Sequence, residues 1–331
     1  MKDIFSRIVV CTLFWAVTLP LSGCASFSLS VGVSLPFSDT EQEIISSFSE
    51  DGVYFPLVVN DEVLDELEAL SRSPYSIKKW LSRSQRYAPM MRGIFREYGV
   101  PEELVYVAII ESGFDADAVS VKDAGGPWQF IPSTARKMGM RIDEWVDERK
   151  DYEKSTMYAA KYLRYFYNTF DDWHLALAGY NCGGAPIRSA LKACGDVGLW
   201  EMGRQGRLSF QAGGYVPRII AMIIIMEHPE AYGFAVPIDV TPLEYDKVYV
   251  PGGVTLSFMA DVLEVKTSTL ERLNPELLKG VTPPDVDLYE LKVPVGSKPV
   301  YLKNFLDAYS NREESLERAG ERMRDRPDDF M

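Results

Sequence analysis

The apolar residues between positions 61 and 234 recur at spacings of three and four, and this periodicity constrains the fold more than any other feature of the sequence. The pattern opens with Val63, Leu64, Leu67 and Leu70. Such spacing places apolar side chains on one face of an α-helix. No convincing strand pattern interrupts it, so residues 61–236 are predicted to form an all-helical domain.

Helix-start signals divide this region into separate helices. Pro101 suits the first turn of a helix, and the acidic Glu102 and Glu103 suit its N-terminal dipole. The helices predicted from there on are Leu104–Glu111, Ser133–Met138, Glu153–Phe170, Trp173–Tyr180, Ala185–Ala193 and Tyr215–Glu227. The last is apolar all round from Ile219 to Met226, which favours a buried core helix over a membrane span.

A smaller unit follows a change of composition at residues 235–237. Its predicted elements are a strand at Lys247–Val250, helices at Leu256–Val262 and Ser268–Leu273, and a closing strand at Leu291–Pro294. This β-α-α-β order predicts a small α+β domain over residues 237–300. A charged, solvated tail is predicted at 301–331. The expected fold class is therefore mainly α, with the small α+β domain at its C-terminal side.

The charge and the metal-binding residue types exclude several classes of partner. The net charge is −13 and is spread along the chain, whereas nucleic-acid binding asks for a basic face. The two histidines, His174 and His228, are far apart, and the four cysteines show no close metal-ligand spacing. We therefore expect no nucleic acid, no metal and no organic cofactor.

The N-terminus has the pattern of a secretory signal. Lys2 and Arg7 precede a mostly apolar stretch from Ile8 to Leu21, and small residues follow. A transmembrane anchor is the alternative, but the stretch is short for a span of ~20 residues. Residues 1–23 are predicted to be a signal peptide, and residues 24–60 a linker with a short docking segment at 53–56.

The end of this stretch, Leu21-Ser22-Gly23-Cys24, resembles a bacterial lipoprotein box. The resemblance implies cleavage before Cys24 and a lipid on its thiol, so that acyl chains tether the protein to a membrane in the periplasm. Ala25 implies sorting to the outer membrane. In such an oxidising compartment, a disulfide between Cys182 and Cys194 is possible.

Glu111 is the first candidate for chemistry, because it ends the apolar run from Leu104 to Ile110. A carboxyl group that is partly removed from water has a raised pKa. A raised pKa is what a general acid needs at neutral pH. Taken alone, this is a weak signal, because a glutamate that ends a helix is usually just exposed.

The surrounding segments strengthen the functional interpretation. The segment 124–135 combines glycines, which allow close backbone approach, with Trp128, Gln129 and Phe130. Aromatic faces and an amide suit the CH groups and hydroxyls of a sugar. Core packing is the alternative role of each aromatic ring. Tyr180-Asn181 precedes another pair of glycines, and Tyr215 opens the last long helix.

Taken together and in this order, the motifs resemble the soluble-lytic-transglycosylase-like family, glycoside hydrolase family 23, in its membrane-bound D-type subgroup. The shared pattern is Glu-Ser-x-Phe, then Ser, then Ala-x-Gly-x-Trp-Gln-Phe-x-Pro-x-Thr-Ala, then Tyr-Asn-x-Gly, then Tyr-Val. The match covers roughly residues 61–234. It implies a lysozyme-like helical fold with a groove for β-1,4-linked N-acetylmuramic acid and N-acetylglucosamine.

The resemblance implies that Glu111 is the single catalytic acid. It would protonate the glycosidic oxygen while the acetamide of the muramic acid assists at C1, and then act as base on the 6-hydroxyl. The implied substrate-binding residues are Ser120, Gln129, Phe130, Tyr180, Asn181 and Tyr215. Tyr215 would also position Glu111. Asp115 and Asp117 are nearby in sequence, but solvated loop acids are the better interpretation.

The chain departs from the pattern of the family it resembles at six positions. Asp123 replaces a glycine, Pro127 a leucine, and Gln211-Ala212 a Glu-Thr pair. Gly179 and Cys182 replace alanines beside the Tyr-Asn pair. These changes motivate a rival hypothesis, in which the groove binds peptidoglycan without cutting it.

The C-terminal unit resembles a LysM module. Gly253-Val254-Thr255-Leu256 stands where such modules carry Gly-Asp-Thr-Leu, and Asn274-Pro275 lies between the second helix and the last strand. The resemblance implies binding of glycans that contain N-acetylglucosamine. The alternative is a domain that packs on the catalytic one.

The sequence therefore predicts a monomeric lytic murein transglycosylase whose partner is the peptidoglycan glycan strand and whose products carry 1,6-anhydromuramyl ends. Two alternatives stay open. One is a hydrolytic muramidase on the same fold, and the other is a non-catalytic peptidoglycan-binding lipoprotein.

Overall fold

The computed structural model describes residues 54–195, 197–207 and 210–325, with the backbone alone for 210–213 and 312–325. A mainly helical region comes first, and a small unit with a two-stranded sheet follows it. The predicted fold class is thereby confirmed. The predicted signal peptide and Cys24 lie outside the described residues.

The helices of the first region begin and end close to the predicted residues. They are α1 (Asp61–Ser71), α2 (Pro74–Glu97), a 3₁₀ helix (Glu102–Tyr106), α3 (Val107–Ser112), α4 (Pro132–Met138), α5 (Tyr152–Phe170), α6 (Trp173–Cys182), α7 (Gly184–Cys194), α8 (Leu199–Arg204), α9 (Phe210–Glu227) and a second 3₁₀ helix (Pro229–Tyr232). Helix α8 was not predicted.

Short polar side chains set where several helices start. The side chain of Asn60 accepts a hydrogen bond from the Val63 N–H at α1, and that of Asp172 accepts one from the Leu175 N–H at α6. Asp151 accepts two such bonds at α5. These caps satisfy N–H groups that have no partner inside the helix.

Helix α9 lies in the core, as its apolar sequence predicts. Its residues from Val216 to Ile225, among them Pro217, are buried, except for Arg218, which is exposed. It packs against α1, α6, the first 3₁₀ helix and α3. Among the described residues, no helix is long and apolar enough to cross a membrane.

The second unit has the predicted β-α-α-β order. Its elements are β1 (Asp246–Pro251), α10 (Leu256–Leu263), α11 (Thr267–Leu273) and β2 (Leu288–Val293), followed by α12 (Lys298–Asp325). The strands are antiparallel, with Val248 opposite Leu291. Val250, Leu270 and Val293 are fully buried in a core of their own.

The first part of the predicted solvated tail belongs to this second core. Phe305 on α12 is buried, and Tyr301 and Tyr309, four residues away on either side, pack against the same cluster. Their rings contact one another and Phe258 of α10. The aromatic spacing gives α12 an apolar face, which the high charge of the segment obscured.

A buried ionic cluster joins the two regions. The Nζ of Lys292 on β2 lies 2.5 Å from Oδ2 of Asp151, the residue that caps α5. The side chain of Asp151 is fully buried, and that of Lys292 is only 6% exposed. Although burial alone would raise the pKa of Asp151, the Lys292 ammonium group holds it below its usual value. Glu276 lies 3.7 Å from the same ammonium group.

Backbone hydrogen bonds extend this junction. The Asp147 N–H donates to the Glu276 carbonyl oxygen, and the Leu278 N–H donates to the Trp145 carbonyl oxygen, both at 2.9 Å. The segment between α11 and β2 is therefore tied to the segment 145–147 of the helical region. These contacts support the alternative in which the small domain packs on the helical one.

Replacing Lys292 by Met is expected to lower the free energy of unfolding by about 3–5 kcal/mol, because Asp151 would keep a buried charge without its cation. Urea denaturation measures the change. The control is Arg204→Met, which removes an ion pair with Glu201 from an exposed site and should cost at most ~1 kcal/mol. Equal effects of the two substitutions would contradict the structural role of the cluster.

Candidate active site

Glu111 lies in the last turn of α3, where the helix leaves the core. Val107, Ala108 and Ile109 before it are buried. The helix ends at Gly113, whose φ of 67° lies in the left-handed region, and the Gly113 N–H donates to the Ile109 carbonyl oxygen at 2.7 Å. A glycine adopts this conformation without strain. An added Cβ at Gly113 would also lie 2.6 Å from Trp80 Nε1.

The carboxyl group of Glu111 is withdrawn from water and is bonded to Tyr215 on α9. The Tyr215 hydroxyl donates to Glu111 Oε1 at 2.5 Å. Burial raises the pKa of Glu111 to about 7, and the hydrogen bond from Tyr215 opposes part of that rise. Burial also raises the pKa of Tyr215 well above its usual value, so its phenol keeps its proton. Glu111 can therefore hold or release a proton near neutral pH.

Tyr180 at the end of α6 completes a group of three. Burial, together with the nearby charge of Glu111, raises the pKa of Tyr180. Its hydroxyl donates to the Trp128 carbonyl oxygen at 2.8 Å. Its ring packs against Phe130 at a centroid distance of 5.9 Å. The structure thus brings together three of the predicted site residues, namely Glu111, Tyr180 and Tyr215.

The loop between α3 and α4 folds back on itself beside α3. Gly125 forms antiparallel bridges with both Val119 and Phe130. Gln129, at a φ of 50°, donates from Nε2 to the carbonyl oxygens of Ala118 and Gly126. Ser112 Oγ donates to the Pro127 carbonyl oxygen at 2.9 Å, which joins the loop to the end of α3. The amide nitrogen of Gln129 therefore holds the loop.

Arg149 also holds this loop, and the sequence did not predict this role. Its buried guanidinium group donates to the carbonyl oxygens of Asp123 at 2.6 Å and Phe130 at 3.1 Å. It also pairs with the Asp147 carboxylate at 2.7 Å. The sequence hides this role, because Arg149 stands in a charged run that resembles a solvated face.

Two of the departures from the family pattern have a local explanation. Asp123 has a φ of 59°, in a region where glycine is favoured and where aspartate is among the better-tolerated alternatives. At Gly179, an added Cβ would lie 2.9 Å from Phe166 Cδ1, so the missing methyl group leaves room for that ring. The side chain of Gln211 lies outside the described residues.

The remaining predicted sugar contacts are placed differently. Phe130 is only 3% exposed and packs against the Tyr180 ring, which favours core packing, the alternative role of its ring, over a sugar contact. Trp128 is likewise fully buried. The Ser120 hydroxyl accepts hydrogen bonds from the N–H groups of Lys122 and Ala124, within its own turn. Asn181 is exposed at the end of α6.

Each of the two nearby aspartates pairs with a cation. Asp115 Oδ2 lies 3.0 Å from Arg83 Nη2, and Asp117 Oδ1 lies 2.8 Å from Lys150 Nζ. Despite partial burial, the backbone of Asp117 and the Arg83 guanidinium group lower the pKa of Asp115. Asp115 therefore stays ionised and ties the loop to α2, whereas the side chain of Asp117 is 81% exposed.

In the described part of the chain, Cys182 and Cys194 are both free thiols. Within the same residues, no group of three or more potential ligands could hold a metal ion.

Comparison with known families shows which kinds of domain the chain contains. Residues 93–202 match the model of the transglycosylase SLT domain, and residues 244–310 match that of the LysM-like domain of the lytic transglycosylase MltD. The chain thus carries an SLT transglycosylase domain followed by an MltD-type LysM-like domain. Glu111, Tyr180 and the loop 118–130 all lie inside the SLT match.

The chain is also similar to individual known proteins. The membrane-bound lytic murein transglycosylases D of Escherichia coli strains K12 and O6:H1 are each 28% identical to the chain over 241 residues. The match covers 71% of this chain and 52% of each relative, so the chain spans about half their length. The 70 kDa soluble lytic transglycosylase SLT70 of Escherichia coli superimposes with a TM-score of 0.38 and 17% identity, covering 57% of this chain and 32% of that chain.

A substitution at Gly126 tests the loop geometry. Its φ is 75°, and an added Cβ would lie 1.8 Å from the Arg149 carbonyl oxygen. Gly126→Ala is therefore expected to destabilise the protein by about 3 kcal/mol or more, measured by thermal or urea unfolding. Gly93→Ala on α2 is the control, since nothing described lies within 4 Å of its added Cβ, and it should stabilise by roughly 0.5–1 kcal/mol. A tolerated Gly126→Ala would refute this packing.

Proposed function

We propose that this chain is a lytic transglycosylase that cuts the β-1,4 bond between N-acetylmuramic acid and N-acetylglucosamine of peptidoglycan and leaves 1,6-anhydromuramyl ends. One observation carries the proposal: a carboxyl group in an SLT domain, largely buried, hydrogen-bonded to Tyr215, and with a pKa raised to about 7. Such a group still holds its proton at the pH where a sugar oxygen has to be protonated.

Glu111 acts twice in the proposed reaction. It first donates its proton to the glycosidic oxygen as the bond from that oxygen to C1 breaks, while the acetamide oxygen of the muramic acid assists at C1. The resulting carboxylate then takes the proton of the 6-hydroxyl, and O6 bonds to C1. The proton returns to Glu111, the acetamide is released and no water is consumed.

The ion pairs around the site support a mechanism with one carboxylate. Most glycosidases use two carboxyl groups on either side of the bond that is cut. The two acids closest to Glu111 on the C-terminal side, Asp115 and Asp117, are held by Arg83 and Lys150. In this proposal, the acetamide oxygen of the muramic acid, a nucleophile within the substrate itself, takes the place of the second carboxylate.

The polar groups at the edge of the site are the proposed sugar contacts. The Gln129 oxygen, the exposed Asn181 and the Ser120 loop are the candidates, with Tyr180 and Tyr215 as proton-bearing phenols beside Glu111. The LysM-like domain would add a second contact to the glycan strand. We propose that the protein acts as a monomer.

The proposed location is the periplasm, with the protein anchored to the outer membrane through lipid on Cys24. The support is the sequence Leu21-Ser22-Gly23-Cys24 and the membrane-bound relatives. Labelling of cells with a radioactive fatty acid should mark the wild-type protein but not Cys24→Ala. Equal labelling of both proteins would disprove the anchor.

Digestion of purified peptidoglycan, with products weighed by mass spectrometry, tests the reaction. The wild-type protein is expected to release products ending in 1,6-anhydromuramic acid, and Glu111→Gln, which cannot donate a proton, should release none. The matched control Glu201→Gln changes an exposed ion pair with Arg204 on α8 and should behave like wild type. Reducing ends would mean a muramidase, and retained binding without products would mean a non-catalytic peptidoglycan-binding protein.

The pH dependence of the rate tests the contact between Tyr215 and Glu111. The acid form of Glu111 starts the reaction, so kcat/KM should fall as the pH rises through about 7. Tyr215→Phe removes a bond that lowers the Glu111 pKa, so the fall should move to higher pH by roughly one unit. The rate below that pH should drop about 10- to 100-fold, because the carboxyl group loses its positioning partner.

Tyr165→Phe is the control for this experiment, since Tyr165 is 55% exposed on α5. It should leave both the rate and its pH dependence unchanged. A Tyr215→Phe profile that coincides with the wild-type profile would show that the Tyr215 hydroxyl does not act on Glu111.

A further inference from the structure

A cleft of ≈ 890 Å³ opens between the SLT domain and the LysM-like domain. One wall is formed by α2 and the segment 115–117, and the other by α11 and the segment 274–280. Glu111 is not among its lining residues. The cleft is therefore separate from the carboxyl group of the proposed reaction, although the segment 115–117 connects it in sequence to the end of α3.

The lining of this cleft is richer in cations than the chain as a whole. Its cations are Arg83, Arg86, Lys150, Arg272 and Lys279, and its acids are Asp115, Asp117 and Glu271. The whole chain, by contrast, has a net charge of −13. A local excess of cations in an acidic protein favours an anionic ligand at this position.

Two of these cations are not engaged by a carboxylate within the described residues. Arg83, Lys150 and Lys279 form ion pairs with Asp115, Asp117 and Glu144. Arg86 instead lies 5.8 Å from the centre of the Tyr87 ring. Arg272 makes a long hydrogen bond of 3.3 Å to Thr269 Oγ1. Each wall of the cleft thus supplies one guanidinium group that can bind a carboxylate in the two-pronged geometry.

The rest of the lining suits the body of a small peptide. Tyr87 and Tyr152 stack at 4.0 Å with their planes only 12° apart. Leu243 lies beside them, held by a hydrogen bond of 2.7 Å from its N–H to the Arg86 carbonyl oxygen. Leu277 contributes from the opposite wall. Apolar surface with a few placed charges is typical of a ligand site of this volume.

We propose that this cleft binds a short acidic peptide and, resting on the function proposed above, that the peptide is the stem peptide carried by the muramic acid. Stem peptides bear several free carboxylates, which Arg86 and Arg272 would engage from opposite sides. A glycan strand bound at Glu111 has such peptides along its length. The cleft then selects strands that still carry peptides.

The test compares two substrates with one double variant. Arg86→Glu/Arg272→Glu is assayed on peptidoglycan strands with their stem peptides and on strands from which an amidase has removed them. We expect kcat/KM to fall about tenfold or more on peptide-bearing strands and to stay unchanged on bare strands. The matched control, Arg72→Glu/Arg204→Glu, changes the net charge equally at two exposed arginines outside the cleft.

An equal loss on both substrates, or a loss no greater than that of the control, would overturn the peptide site. If the wild-type protein cuts neither substrate, the proposed reaction has failed, and calorimetric titration with free stem tetrapeptide decides the site independently. Binding to the wild-type protein that is weakened at least tenfold in the double variant supports the proposal. Absence of binding to the wild-type protein at millimolar peptide overturns it.

Discussion

The active-site geometry depends on the burial of one carboxyl group, that of Glu111. Helix α3 begins in the core and ends at Gly113, so its last turn carries Glu111 to the edge of the buried region without releasing it into water. Burial raises the pKa to about 7, and Tyr215 on the central helix α9 fixes one carboxyl oxygen. A group with this pKa can donate and take up a proton in one reaction cycle, which a solvated glutamate with a pKa near 4.3 does poorly at neutral pH.

The surroundings of Glu111 are held by contacts that reach from one domain into the other. Arg149 holds the loop 118–130 through the carbonyl oxygens of Asp123 and Phe130, and it pairs with Asp147. The Asp147 N–H in turn donates to the Glu276 carbonyl oxygen in the LysM-like domain. Two steps therefore link the loop beside the candidate site to the junction around Asp151 and Lys292. The LysM-like domain therefore supports the SLT domain physically.

Helical periodicity predicted most of the element boundaries, because apolar spacing and capping residues act over a few positions. It missed α8, because six residues are too few to show a helical period. It also missed the apolar face of α12, because that segment is rich in charged residues. Periodicity does not predict contacts between residues that are far apart in the sequence. The bond between Tyr215 and Glu111 spans 104 positions and was expected only from the family resemblance. Arg149 gave no signal, since a buried arginine and a solvated one look alike in a charged run.

A direct titration of the Glu111 carboxyl group tests the central claim, that burial keeps this group protonated near neutral pH. The side-chain carboxyl carbons of glutamate are labelled with ¹³C, and their chemical shifts are followed by NMR from about pH 3 to 9, with Glu111→Gln used to assign the signal. The account predicts a glutamate signal that titrates at about 7 and is missing from the variant, whereas the signal of the buried Glu276, whose pKa is also raised to about 7, remains. A Glu111 signal that titrates near 4.3, the value of a solvated glutamate, would contradict it.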